Sequence, residues 1–190
     1  MNIMYDYEKV FQVLSIKFKE NPEFKIEEKN ADFLLKSAIE NDDLELIKLL
    51  LQYKVSFSED ILDFIGFANE FVFCEIIAAI DKNQSDFSWE NLNSVIFDLS
   101  ESHVSTPKMF SILLEKKTVE FNKLYKNEIP LLIFLCINRK SDVLKFLIEN
   151  KFILRSDLNL KYSNLIFLEY VERYMPYDVY ISLLKLFNLT

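Results

Sequence analysis

The sequence of 190 residues contains a single glycine, Gly66. Glycine is the residue that adopts positive φ most readily, so folds built on many tight turns, such as β-sandwiches and small barrels, are disfavoured. The same scarcity excludes a phosphate-binding loop and a dinucleotide-binding fingerprint, because both need two or three glycines close together. Hydrophobic residues make up 51% of the chain, which excludes intrinsic disorder and predicts a buried core.

Two segments of the chain resemble one another. The first runs from Ala38 to Leu51 (AIENDDLELIKLLL) and the second from Leu135 to Ile148 (LCINRKSDVLKFLI). Weaker copies align with them at apolar positions that are 30 to 36 residues apart. These positions are Leu46, Ile76, Met109, Val143 and Val179, and Val10 occupies the same place in an apolar segment before the first copy. A repeat of this period is typical of helical solenoids.

Each copy has the pattern of two short helices. The segment Leu44–Leu51 is apolar at six of its eight positions, a face so wide that it predicts a helix packed between neighbours. Asn41-Asp42-Asp43 offers N-cap oxygens before this helix, and Ser105-Thr106-Pro107 places a cap and a proline before another. Strand signals are scarce. The predicted fold class is all-α, a helical-hairpin repeat solenoid with about five copies and an N-terminal capping helix.

The predicted organisation is a single domain over residues 1–190. Stability in such an array is shared between neighbouring copies, and the terminal copies need modified outer faces. The predicted boundaries are a cap at 1–29 and repeats at 30–60, 61–92, 93–127, 128–158 and 159–190.

This layout resembles the ankyrin repeat. Ala38–Lys54 matches the family stretch AAENGHLEIVKLLLEKG at most positions, although Asp42 and Lys54 replace its two glycines. In the next copy Ala68 falls on the first-helix alanine, and Glu75-Ile76-Ile77 falls on the family's EIV. Val143–Glu149 covers the fourth copy, so the resemblance spans roughly residues 30–190.

The chain departs from the ankyrin pattern in the first helix of each copy. The TPLH motif is absent, and Phe33-Leu-Leu-Lys36 and Pro130-Leu-Leu-Ile133 take its place. This departure leaves open whether β-hairpin fingers connect the copies. The resemblance implies a concave surface, built from first helices and connecting loops, that binds other proteins and needs no cofactor.

The charge is distributed unevenly. The chain has a formal net charge of −8, yet residues 1–100 hold 20 acidic residues against 9 lysines. Between Glu59 and Asp98 there are nine acidic residues and one base, Lys82. This run is either a solvated face or a docking surface for a basic partner, and Trp89 within it is either an interface anchor or a packing residue. The candidate partner-binding residues are Glu59, Asp60, Asp63, Glu70, Asp86, Trp89, Glu90 and Asp98.

The sequence offers little for catalysis. His103 is the only histidine, and the two cysteines, Cys74 and Cys136, are 62 residues apart in apolar surroundings. The spacing of a zinc site is absent, and a Cys–His nucleophile pair is conceivable but disfavoured because both thiols lie on apolar helix faces, so we expect no metal, no cofactor and no enzymatic activity. His103 is interpreted as a loop residue and the cysteines as buried free thiols.

These features predict a cytoplasmic protein that is monomeric when free and binds a basic protein. No secretory signal and no apolar run of 18 residues is present, and the acidity disfavours nucleic acid and membranes as partners. One concrete version is an inhibitor or immunity protein that masks a cationic toxin, such as a nuclease. The alternatives are an ankyrin-type effector or adaptor scaffold and, in another class, an enzyme with an unrecognised site.

Overall fold

The computed structural model describes residues 7–21, 23–41, 43–84, 87, 92–116, 124–125 and 129–189. Most of these residues are helical, as the all-α prediction requires. Contacts within the chain divide it into two compact units, residues 1–89 and residues 90–190. The prediction of one domain with repeats at the stated boundaries stays a prediction.

Unit 1, residues 1–89, is built from helices that pack around α3. Helix α3 contacts α1, α2 and α5, and the short α4 and the 3₁₀ turn before it pack on α2. The described elements are α1 (Tyr7–Glu20), α2 (Glu28–Glu40), α3 (Leu44–Gln52), a 3₁₀ turn (Glu59–Ile61), α4 (Leu62–Ile65) and α5 (Glu70–Asn83).

Short polar side chains start helices α3 and α5 of this unit. Asp43 accepts a hydrogen bond from the backbone N–H of Leu46 at 3.1 Å, and Asn69 accepts one from Val72 at 3.0 Å. Each bond satisfies one of the N–H groups that a helix start leaves without an intrahelical partner. The predicted cap before Leu44 is therefore confirmed at Asp43.

Unit 2, residues 90–190, alternates two rows of helices. Helices α6, α8 and α10 pack in one row, α7, α9 and α11 in the other, and each helix also packs on its partner in sequence. The described helices are α6 (Leu92–Glu101), α7 (Pro107–Lys116), α8 (Leu131–Ile137), α9 (Ser141–Glu149), α10 (Phe167–Tyr174) and α11 (Tyr177–Leu186), with a 3₁₀ turn at Arg155–Asn159. The predicted helix start at Pro107 is confirmed.

Two short antiparallel hairpins lie in the connections of unit 2. Strand β1 (Leu124–Tyr125) pairs with β2 (Ile129–Pro130) directly before α8. Strand β3 (Lys161–Tyr162) pairs with β4 (Leu165–Ile166) directly before α10, and the Tyr170 hydroxyl donates to the carbonyl oxygen of Tyr162 at 3.0 Å. Neither strand pair was predicted, because a ladder of two residues is too short to show an alternating pattern in the sequence.

Among the described residues, four helices end in the same way, and none of these four ends uses glycine. After α3 the N–H of Lys54 donates to Leu51 and that of Val55 donates to Leu50, which is the hydrogen-bond pattern of a Schellman motif. The residues that take positive φ at these four ends are Lys54, Arg139, Lys151 and Asn188. Gly66 itself has φ −61°, an ordinary right-handed value.

The five aligned apolar positions of the repeat copies lie in the core, whereas Val10, aligned with them on α1, is half-buried. Leu46, Ile76, Met109, Val143 and Val179 are each at most 2% exposed, and they lie on α3, α5, α7, α9 and α11. Each helix therefore turns its aligned residue into the interior of its own unit. Among the described residues, every helix is too short or too polar to span a lipid bilayer.

Candidate interaction surface

The carboxylate of Asp32 joins α2 to the segment that precedes the first 3₁₀ turn. It accepts hydrogen bonds from the backbone N–H of Ser58, at 3.1 Å, and from the Ser58 hydroxyl. Asp32 is 7% exposed, and burial raises the pKa of its carboxyl above the usual value although the Ser58 bonds lower it. The side chain is thus positioned by Ser58 and is not available for direct contact with a partner.

Two further carboxylates lie close to Asp32. The negative charges of Asp60, on the 3₁₀ turn, and of Glu28, one helical turn before Asp32, both contribute to raising the pKa of Asp32. Glu28 and Asp60 are exposed, and Asp63 is exposed on α4, three residues after Asp60. We call Glu28, Asp32, Asp60 and Asp63 the acidic cluster.

The structure places half of the predicted partner-binding residues in unit 1. Asp60 and Asp63 lie at its surface, Glu59 belongs to the 3₁₀ turn, and Glu70 is the half-buried first residue of α5. Asp86, Trp89 and Glu90 lie outside the described residues.

The remaining predicted residue, Asp98, does not lie on an exposed surface. It is 8% exposed on α6 of unit 2, within the buried run Val95 to Ser100. The prediction placed it by its nearness in sequence to other acids, whereas its helix turns it toward the interior.

Sequence reasoning missed Glu28 and Asp32. Both precede the acidic run, and only the packing of the 3₁₀ turn on α2 brings them near Asp60. Their spacing of four residues, which places two acids on one helix face, was a signal that could have been used.

Exposed aromatic and basic side chains accompany these acids in unit 1. Phe33 on α2 is 51% exposed, and Phe67, just after α4, is 56% exposed. Helix α2 also bears exposed Lys29 and Lys36, and the latter lies 3.9 Å from Glu40. Aromatic side chains at a surface are frequent anchors of protein interfaces, so the surface of unit 1 offers apolar contact area as well as charge.

The two cysteines and the histidine differ in their exposure to solvent. Cys136 on α8 is fully buried, and burial raises the pKa of its thiol. Cys74 is half-buried on α5, and His103 is exposed in the turn after α6. Among the described residues, no three His, Cys, Asp or Glu side chains are grouped so that they could hold a metal ion.

Comparison with known proteins does not add a relative. No known protein family matches the chain, and no curated protein and no solved structure matches it.

Proposed function

We propose that the chain is a protein-binding module that recognises a basic partner through the exposed carboxylates of the acidic cluster, Glu28, Asp60 and Asp63. The observation that supports this is the grouping of Glu28 and Asp60 near Asp32: they come from two separate elements, and the charge of each acts on the Asp32 carboxyl. Carboxylates held together repel one another, and a cationic side chain placed among them relieves that repulsion. The cluster therefore favours a partner that brings Lys or Arg to it.

We further propose that the helix pairs are degenerate ankyrin-like repeats. The aligned core positions and the alternating rows of helices in unit 2 support this proposal. Positive φ at Lys54 and at the aligned Lys151 supports it as well, because the ankyrin pattern has a glycine at this point. The hairpins before α8 and α10 lie where ankyrin fingers would connect the copies.

The most concrete version of the function is inhibition of a cationic toxin such as a nuclease. A protein that binds nucleic acid presents Lys and Arg side chains to the phosphates. Carboxylates at matching positions would bind the same Lys and Arg side chains in place of the phosphates. An effector or adaptor scaffold is the second version, and it requires no match to a phosphate-binding surface.

The experiment uses a charge-reversed variant and a control with the same change in net charge. Asp60→Lys with Asp63→Lys alters two exposed acids of the acidic cluster, whereas Glu115→Lys with Glu172→Lys alters two exposed acids of unit 2. Wild type and both variants are immobilised, loaded with lysate of the source cells and eluted with a salt gradient. We expect one stoichiometric basic protein on wild type and control, released only at high salt.

The purified partner then gives a quantitative test. We expect Asp60→Lys with Asp63→Lys to slow association by on the order of tenfold or more at low salt, because long-range attraction sets the association rate. Equal association rates for the two double variants would contradict the proposal. If the partner is a nuclease, inhibition of its activity separates the toxin inhibitor from the adaptor scaffold.

A further inference from the structure

A groove of about 520 Å³ runs along α3 and α5 in unit 1. Its apolar wall consists of Leu44, Ile47, Leu51, Phe71, Ala78 and Ala79. The groove shares no residue with the acidic cluster.

The groove follows one stripe of each helix. The lining residues of α3 lie at 44, 47, 48, 51 and 52, and those of α5 at 71, 72, 75, 78, 79, 82 and 83. These spacings belong to one face of each helix, and on α5 the stripe extends for about 18 Å at 1.5 Å per residue. Leu46 and Leu50 on α3 and Phe73 and Ile76 on α5 form a different, fully buried face. Each helix thus has more apolar surface than its own unit covers.

The apolar wall is open to solvent. Phe71 is 58% exposed and Leu44 is 36% exposed, while Ile47, at 3%, lies on the floor between them. Two small side chains, Ala78 and Ala79, leave the space above α5 unfilled. An exposed apolar surface of this kind, rimmed by polar residues, is typical of a binding groove.

The rim of the groove is basic although the chain is acidic. Lys48, Lys54 and Lys82 line it, against the single acid Glu75. Lys48 already contacts Glu45, with 3.1 Å between Nζ and Oε1. The lysines at the rim therefore favour an occupant with acidic flanks.

We propose that this groove binds one amphipathic helix of a partner protein, with apolar residues at i, i+3, i+4 and i+7 and with Asp or Glu on its flanks. Such a helix would place its apolar face on Leu51, Phe71 and Ala78 and its carboxylates toward Lys54 and Lys82. Alanines in the wall allow two helix axes to approach to the usual 8–10 Å.

The shape of the groove favours a helix over a small amphiphile. A small-molecule site encloses most of its ligand, whereas this groove is open along one side and leaves Phe71 and Leu44 exposed. A helix covers such a strip on one face and keeps its other face in water. This proposal is independent of the one for the acidic cluster, so either can fail alone.

The probe is a fluorescein-labelled peptide of 18 residues with Leu at the i, i+3, i+4 and i+7 positions and Glu on both flanks. Its binding to the full chain is followed by fluorescence anisotropy, with a second peptide in which every Glu is replaced by Lys. We expect saturable binding of the acidic peptide, at least tenfold tighter than that of the basic one, and a gain of helical circular dichroism on binding.

Two variants and two matched controls locate the site. Phe71→Ala and Lys82→Glu change exposed groove residues and should each weaken the acidic peptide by on the order of tenfold. Phe67→Ala and Lys36→Glu make the same changes at exposed positions outside the groove and should leave its affinity unchanged. Thermal unfolding of all four variants verifies that they are folded.

Several results would overturn the proposal. Absence of saturable binding would do so, as would equal affinity for both peptides or equal effects of Phe71→Ala and Phe67→Ala. Binding of dodecanoate without binding of the peptide would assign the groove to an anionic lipid. A dimer in sedimentation velocity that Phe71→Ala dissociates would assign it to a second copy of the chain.

Discussion

Ser58 donates both its backbone N–H and its hydroxyl to the carboxylate of Asp32, which lies 26 residues earlier on α2. The backbone N–H of Asp60 in turn donates to the Ser58 hydroxyl oxygen at 3.2 Å. Through this chain of bonds a buried carboxylate fixes where the first 3₁₀ turn begins and therefore where the exposed Asp60 lies.

Loss of the Ser58 hydroxyl should destabilise unit 1. Ser58→Ala removes one donor from a buried carboxylate, and we expect a loss of about 1–3 kcal/mol in the free energy of unfolding measured with urea. Ser56→Ala, an exposed serine in the same segment, is the control and should change it by less than about 0.5 kcal/mol. Equal stability of Ser58→Ala and wild type would show that the hydroxyl bond has no net effect.

Asp32 gives a pH dependence that is opposite to that of an ordinary paired carboxylate. Its pKa in the folded chain is raised above 3.8, so between 3.8 and that raised pKa the folded state binds more protons than the unfolded state. The ionised Asp32 carboxylate therefore destabilises the folded chain, fully so at pH values above the raised pKa. This destabilisation is relieved as the pH falls through that pKa.

The comparison of wild type with Asp32→Asn removes the contribution of acids that do not interact with Asp32, because those acids titrate alike in both chains. We expect the stability of wild type relative to Asp32→Asn to rise as the pH is lowered from 7 toward 4. Urea unfolding at each pH measures it. If the stability of wild type relative to Asp32→Asn stays constant or falls as the pH is lowered, the pKa of Asp32 is not raised in the folded chain.

The two cysteines should differ sharply in reactivity. Cys136 is fully buried and burial raises the pKa of its thiol, whereas Cys74 is only half-buried. Because the thiolate is the reactive form, iodoacetamide at pH 8 should modify Cys74 first and reach Cys136 only when the chain unfolds. Peptide mass spectrometry with and without urea distinguishes the two sites, and similar native rates at both would refute the prediction.

Glycine should stabilise two helix ends of this chain. Lys54 and Lys151 have φ of 53° and 58°, values at which a Cβ atom is unfavourable. We expect Lys54→Gly and Lys151→Gly each to raise the free energy of unfolding by about 0.5–1 kcal/mol, net of the greater freedom of glycine in the unfolded chain.

A lysine inside a helix provides the control for this prediction. Lys36→Gly, on α2, should lower stability by about 1 kcal/mol, because glycine is a poor helix former. Thermal or urea unfolding measures all three variants. Stabilisation by glycine at Lys54 and Lys151, together with destabilisation at Lys36, would support the explanation that positive φ is unfavourable for lysine at the two helix ends. Destabilisation at Lys54 and Lys151 would exclude it.

An ion pair connects α9 to α11 in unit 2. Lys145 Nζ lies 3.1 Å from Asp178 Oδ2. The hydrogen bond from Lys145 is the main cause that lowers the pKa of the Asp178 carboxyl. Lys145→Gln should raise that pKa toward 3.8, and ¹³C NMR titration of the Asp178 carboxyl measures it. An unchanged titration of Asp178 would mean that the pair does not form in solution.

The sequence predicted the elements that depend on local pattern. Leu44–Leu51 was predicted from its apolar face and its cap, and the helix is observed at Leu44–Gln52. The start of α7 followed from Pro107 because proline fits the first position of a helix. The burial of Leu46 and Val143 followed from their alignment.

The sequence did not predict what depends on contacts between distant segments. The proximity of Asp32 and Asp60 arises from packing of the 3₁₀ turn on α2, which no local pattern encodes. The burial of Asp98 was missed for the same reason, because nearness in sequence to exposed acids does not determine which way a helix face points.

The hairpin of β3 and β4 limits how unit 2 can be bound. Its turn residues, Ser163 and Asn164, both have positive φ, as a tight two-residue turn requires, and the helix α10 begins immediately after Ile166. Each strand therefore ends after two residues, and its outer edge offers too few backbone groups for another chain to add a strand. Recognition at this hairpin must use side chains, which also means that the hairpin is a poor template for aggregation.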